Sequence, residues 1–184
     1  MNRILILMAD GFEETELVFP YDVWRRGGIK VTLASIDDDS EAESARGLVI
    51  RADAALSEID PGDYSGLFLP GGLKGVDNLK HSERVLDLVR MFHEKGKWVT
   101  AICAAPLVLA AAGISFSHKL TSYPGMEGDL SKYCVAYLQD RVVVDGKVVT
   151  ARGAGVAEEF ALTVLALLEG NETSERIRSQ MVCR

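Results

Sequence analysis

Residues 98–113 read WVTAICAAPLVLAAAG. Trp98 to Ile102 has the character of a buried strand, and Pro106 to Gly113 reads as a short helix. Cys103 stands on the corner between them, with Ala101, Ala104 and Ala105 around it. A residue on a sharp strand-to-helix turn projects its side chain out of the sheet, and crowding there requires small neighbours. The amino terminus of the following helix supplies partial positive charge, which favours thiolate over thiol. The corner therefore predicts a nucleophile elbow with sulfur in place of oxygen, its pKa lowered from roughly 8.5 toward 3.5–7.5. Cys134 and Cys183 carry no such context and read as ordinary packing cysteines.

Outward from this corner, short apolar runs alternate with helical patterns along most of the chain. Arg3–Ala9 is continuously apolar after its first residue, as expected of a strand covered on both faces. A helix is predicted over Glu13–Arg26, with Leu17, Tyr21 and Trp24 on one stripe, Gly27-Gly28 as its stop and Pro20 disturbing its first turn. Lys30–Ile36 is a second strand, Asp37–Ser44 an acidic surface loop, and Leu48–Ile50 a short edge strand. Leu67–Leu69 is the third core strand, ended by Pro70-Gly71-Gly72. Ser82 caps an amphipathic helix to Lys95, and Lys119–Tyr123 is a further strand. Two Val-rich runs around Asp145-Gly146 form a hairpin with a type I′ signature, and helices over Ala157–Leu168 and Ser174–Val182 close the chain. The pattern predicts a single α/β domain over residues 1–184: a flavodoxin-like three-layer α/β/α sandwich, mostly parallel, with a late hairpin. Right-handed crossovers would bring Asp10–Glu16, Pro70–Gly72 and Cys103–Ala105 to one rim, at the carboxyl ends of the strands.

Bulk properties narrow the function. A domain of 184 residues buries roughly 70% of its unfolded surface without help from disulfides or metal. Its 48% hydrophobic and 26% charged residues are those of an ordinary globular protein. The formal net charge of −7 disfavours nucleic acid and anionic membrane. No apolar run is long enough to span a bilayer, and no signal peptide is visible. Three widely spaced cysteines suit a reducing cytoplasm, and no cysteine–histidine cluster suggests a metal.

A reactive thiol needs a proton partner. His81, His93 and His118 each read as surface residues, and no histidine follows His118, which excludes a triad of the glutamine-amidotransferase kind. The acidic cluster Glu13, Glu14 and Glu16 is the remaining source at the same rim, and spacing alone does not say which member serves.

Four blocks at matching spacing, ADGFEETELVFPYDVWRRGGIKVTLAS, LFLPGG, AICAAP and TARGAG…EEFAL, resemble the ThiJ/PfpI superfamily over nearly the whole chain. The similarity is to the branch of the parkinsonism-associated protein deglycase and its bacterial relatives. The resemblance implies that Cys103 is the nucleophilic, oxidation-prone cysteine and Glu16 the buried acid beside it. It further implies that Gly72 and Ala104 donate backbone N–H groups, and that Arg26 and Arg46 approach the site around a homodimer interface. Tyr123 stands where the human member has histidine, and Ala104 where the protease-like branch has one, so intrinsic peptidase activity is not expected. The implied activity is cofactor-free conversion of reactive dicarbonyls such as methylglyoxal to lactate, or deglycation of early adducts. The alternatives are an oxidation sensor or redox-regulated chaperone using the same cysteine, and a structural paralogue with a dead pocket.

Overall fold

The computed structural model describes residues 1–37 and 39–183; Asp38, inside the loop expected at 37–44, and Arg184 lie outside the described residues. β1 (Arg3–Met8) is buried from Ile4 onward and is flanked by β2 (Lys30–Ser35) and β6 (Gly66–Leu69), both parallel to it. Its alternate side chains feed two cores. Leu5 and Leu7 face one layer, and Ile4, Ile6 and Met8 the other. A strand with apolar residues on both faces belongs at the centre of a doubly covered sheet, which is why this run does not alternate in polarity.

On one face α1 (Glu14–Arg26) packs with α6 (Ala157–Glu169) and α7 (Asn171–Gln180). There Trp24, Phe68 and Phe160 form an aromatic cluster. The Trp24–Phe68 and Phe68–Phe160 centroids lie 5.2 and 5.3 Å apart, and Trp24 Nε1–H donates to the Ala161 carbonyl at 3.0 Å. The other face is covered by α2 (Leu73–His81), α3 (Glu83–Glu94) and α4 (Pro106–Ala111), with Val85, Val89 and Phe92 of α3 wholly buried. Ser82 Oγ accepts from the Val85 N–H at the start of α3, as its cap position predicts. Pro20 sits inside α1 without ending it.

β7 (Trp98–Ile102) and β11 (Val148–Ala151) extend the parallel sheet beyond β6, and β10 (Val142–Asp145) closes that edge antiparallel to β11. The two-residue β5 (Ala54–Ala55) forms the opposite edge, giving the order β10-β11-β7-β6-β1-β2-β5 among the described residues. Strand order reverses between β1 and β6, and in open α/β sheets such a reversal opens a crevice at the carboxyl ends. The chain thus has the flavodoxin-like architecture expected of it.

Several local expectations change. Glu41–Glu43, placed in a surface loop by its acidity, is β3, which pairs antiparallel with β4 (Val49–Arg51). This hairpin is a separate ribbon and supplies no edge of the main sheet. The strand expected at 119–123 is only β8 (Lys119–Leu120), paired with β9 (Ala136–Tyr137) outside the main sheet, and a short α5 (Glu127–Leu130) lies between them. The β10–β11 turn pairs Asp145 with Val148, leaving Gly146 and Lys147 at its centre. Only Gly146 has positive φ (+60°), the pattern of a II′ rather than a I′ turn. α2 was not foreseen at all. No helix among the described residues is long and apolar enough to cross a membrane.

Gly27 and Gly28 end α1 for different reasons. Gly28 has φ +91° with open space around it, the left-handed residue after a helix. Gly27 is right-handed, and a Cβ there would run into Leu165 Cδ1 of α6. Gly27→Ala should therefore destabilise the protein by about 1–3 kcal/mol through overpacking. Denaturant unfolding checks this, with a null effect expected if α1 and α6 can separate freely.

Candidate active site

Three loops meet above the carboxyl ends of β1, β6 and β7. The loop after β7 holds Cys103 at φ +64°, a left-handed conformation that costs a residue with a side chain roughly 1–2 kcal/mol. Hydrogen bonds on both sides hold it there. The Cys103 N–H donates to the Ala151 carbonyl at 2.9 Å, and the Cys103 carbonyl accepts from the Tyr123 N–H at 2.8 Å. Ala101, Ala104 and Ala105 are buried around the bend, and the sulfur-bearing side chain is half-buried between the two cores.

Glu16 arrives from the first turn of α1 and is only 1% exposed. The loop after β6 lets it reach the sulfur. A Cβ on Gly71 would strike Glu16 Oε2 and lie 2.6 Å from Cys103 Cβ, so the carboxyl and the cysteine fill the space a side chain would take. Gly72 follows with φ +95°, and its N–H and that of Ala104 lie beside the Cys103 sulfur, where they favour its anion. The N–H groups of Gly71 and Ala154 likewise favour the ionised form of the Glu16 carboxyl. Glu16 Oε2 itself is buried without a well-aligned donor, an arrangement that favours a proton on the carboxyl.

Burial, followed by the charge of Glu13, raises the Glu16 pKa to about 7 against the pull of the thiol and the two N–H groups. The thiol does not follow the sequence expectation. Burial, then the Glu16 charge, pushes Cys103 up to about 12, and the N–H groups of Gly72 and Ala104 do not reverse it. α4 starts only at Pro106, three residues past the sulfur, while Glu16 touches it. The cavity thus accommodates one negative charge between carboxyl and sulfur, and the two groups titrate as a pair.

The pair opens into a cavity of about 860 Å³, walled by the β3–β4 hairpin, Leu73 and Lys74 of α2, and Tyr123 to Met126. Tyr123 is 50% exposed, and its Cδ2 lies 3.3 Å from a Cβ built on Gly153. Arg46 is on the rim, paired with Glu13 at 3.6 Å and Glu14 at 3.2 Å. Arg26 is not brought to the site. It ends α1, about 15 Å along the axis from Glu16, and pairs with Asp22 at 2.9 Å on the surface. Sequence reasoning also missed Gly71, Gly153 and Ala154, whose importance is the absence or smallness of a side chain. The first glycine of LPGG was the available hint for Gly71. His93 and His118 are not simply surface residues, since their Nε2 atoms lie 2.8 Å apart in a half-buried pair.

A model of the DJ-1/PfpI family matches residues 2–167. The chain belongs to the DJ-1/PfpI family. It is 40% identical to protein DJ-1alpha of Drosophila melanogaster, over 98% of this chain and 84% of that one. It is 37% identical to the Parkinson disease protein 7 homolog of Danio rerio, over 100% and 98%. A deglycase of Pyrococcus abyssi in the same family is 33% identical over 83% of this chain and 91% of that one. The crystal structure of Drosophila DJ-1beta superposes with a TM-score of 0.96 at 36% identity, covering 100% and 98% of the two chains. That of oxidized Toxoplasma gondii DJ-1 gives 0.93 at 29%, covering 100% and 99%. DJ-1/PfpI membership and the mostly parallel flanked sheet therefore agree.

The raised carboxyl has a consequence for stability. An unfolded Glu16 would ionise near 4.5, whereas the folded one holds its proton to about 7. Between these values the native state binds the extra proton, so this contribution to stability is complete at low pH and is lost as pH rises through 7. Glu16→Gln removes that loss. On raising the pH from 4 to 8, the variant should gain about 3 kcal/mol relative to the native chain. Urea unfolding at the two pH values measures it, and a gap that narrows or reverses would mean that the buried carboxylate is welcome.

Proposed function

We propose that this protein is a cysteine-dependent, cofactor-independent enzyme acting on reactive dicarbonyls, either free, as methylglyoxal converted to lactate, or as early adducts on protein side chains. The observation that carries the reading is the Cys103–Glu16 pair at the floor of an open cavity, with the N–H groups of Gly72 and Ala104 beside the sulfur. The relative from Pyrococcus abyssi that is named a deglycase supports the same class of reaction.

The chemistry follows from one shared proton. Ionised Glu16 takes the thiol proton as Sγ forms a bond to the aldehyde carbon, and the Gly72 and Ala104 N–H groups stabilise the oxygen that gains charge. Glu16 returns the proton to that oxygen, giving a hemithioacetal. Glu16 then removes the hydrogen from the former aldehyde carbon and a proton is delivered to the neighbouring carbon through an enediol. One carbon is oxidised and the other reduced, so no external redox partner is needed. The resulting lactyl thioester is cleaved by water, which restores the thiol and releases lactate. With an adduct as substrate, Sγ displaces the amine or thiol of the modified side chain, which departs with the proton held by Glu16, and the same hemithioacetal results. Tyr123 and Arg46, on the cavity wall, contact the substrate in this reading.

Cys103→Ser should abolish methylglyoxal consumption and lactate formation, and Glu16→Gln should lower kcat/KM by roughly 10²–10⁴-fold. In the native enzyme kcat/KM should rise with pH through about 7 as Glu16 loses its proton. Lactate production by Cys103→Ser at the native rate would remove the proposal. The family reading also carries a homodimer, for which exposed Val18, Leu48 and Val49 are available apolar surface.

A second reading, oxidation sensing, is favoured by the solved relative in oxidized form. A protonated Glu16 would donate to the first oxygen gained by Sγ, halting oxidation at the sulfinate. Mild peroxide should then add two oxygen atoms to Cys103 alone by peptide mass spectrometry. Equal oxidation of Cys134 and Cys183 would count against it.

A further inference from the structure

Glu14 does not line the cavity and has no part in the chemistry above, yet its side chain is only 17% exposed and its carboxylate makes three hydrogen bonds to one short segment. Its Oε1 accepts from Ser44 Oγ–H at 2.6 Å and from the Arg46 N–H at 2.7 Å, and its Oε2 accepts from Arg46 Nη1 at 3.2 Å. Ser44 and Arg46 are the tip of the β3–β4 hairpin. Ser44 Oγ in turn accepts from the Leu48 N–H at 2.8 Å, so the contact reaches the far strand of the ribbon.

The hairpin is otherwise held by Ala42, buried in the α1-side core, by Ile50 packed against that core, and by Arg46 paired with Glu13 at 3.6 Å. It is a two-stranded ribbon outside the main sheet, and such ribbons are marginal in water by themselves. Its hydrogen bonds to the rim besides those of Glu14 run from Gly11 N–H to the Glu43 carbonyl and from Ala45 N–H to the Phe12 carbonyl, both at 2.7 Å, with Asp10 Oδ1 accepting from the Glu43 N–H at 2.9 Å. Yet Glu43, Ser44, Ala45 and Arg46 make one wall of the cavity. Burial works against the Glu14 charge, but the donors from Ser44 and Arg46 outweigh it and hold the carboxyl below the usual range, so it is ionised at neutral pH.

We propose that Glu14 is a positioning residue whose carboxylate clamps the hairpin tip against the start of α1, fixing the cavity wall that faces Cys103 and thereby setting which substrates fit. Because Glu14 and Glu16 share the first turn of α1, one turn of helix carries both the reacting carboxyl and the group that holds the wall opposite. The effect on substrate selection rests on the dicarbonyl reading, whereas the clamp does not.

The test compares Glu14→Ala, Glu14→Gln and Ser44→Ala in the full chain. Hydrogen exchange at the amides of Ala45, Arg46 and Leu48 should quicken by roughly tenfold or more in Glu14→Ala, the loss expected when hydrogen bonds to a charge are removed. Alkylation of Cys103 should quicken with it, more for a bulky maleimide than for iodoacetamide. Gln keeps an acceptor for Ser44 and the Arg46 N–H and should restore most of the protection. Ser44→Ala breaks the clamp from the hairpin side without touching α1, and its effect should be non-additive with that of Glu14→Ala. Where methylglyoxal is turned over, KM should rise while kcat stays within a factor of about two. Unchanged exchange and unchanged alkylation in both Glu14→Ala and Ser44→Ala would overturn the clamp. Loss of dicarbonyl turnover in the native chain would instead remove only the proposed function.

Discussion

A carboxyl and a thiol pressed into the space of one missing side chain govern the rest of this site. Gly71 has no Cβ because Glu16 and Cys103 occupy its place, and that closeness makes their charges mutually exclusive. Desolvation raises both groups, so the carboxyl titrates near neutrality while the thiol stays protonated beside an ionised neighbour. The device differs from a cysteine activated by a helix dipole. There the sulfur is held as a standing anion; here it keeps its proton and a carboxyl that ionises near neutrality touches it.

The fold makes this arrangement by geometry more than by local preference. The left-handed conformation at Cys103 is unfavourable by itself and persists because its N–H is tied to β11 and its carbonyl to the segment at Tyr123. Glu16 is buried because α1 runs back over the sheet from the end of β1, and α1 is held down by Trp24 against Phe68 and by close packing at Gly27 against α6. The placement of Glu16 at the amino end of α1 therefore depends on contacts two to three turns away.

The cavity itself is assembled from parts of unequal rigidity. Its floor belongs to the central strands, whose residues are buried on both faces, while one wall is a small ribbon and another is the segment around Tyr123. Such a division keeps the reacting groups fixed and leaves the wall open to variation. Arg46, paired with Glu13 and Glu14, belongs to the wall and not to the floor.

The order of strands and helices was legible in the sequence because buried parallel strands and amphipathic helices differ in period and composition. Arg3–Met8, Trp98–Ile102 and the helix after Ser82 lie where their patterns put them. The bend at Cys103 was also legible, since only small residues surround it. α2 was not, because Leu73–His81 is short, carries Gly75 and offers no polar cap, its amino end being Gly72. The β3–β4 ribbon was hidden by acidic residues that pattern reading assigns to loops. Arg26 was named by likeness as approaching the site around a homodimer interface, and within one chain the length of α1 places it on the surface beside Asp22. By itself the sequence determined that a cysteine stands on a strand-to-helix corner with three glutamates at the same rim. Spacing left the choice of glutamate open and family likeness named Glu16; only the tertiary structure put its carboxyl against the sulfur and decided in which direction the thiol shifts, because both depend on desolvation and on a gap of one methyl group that no local pattern records.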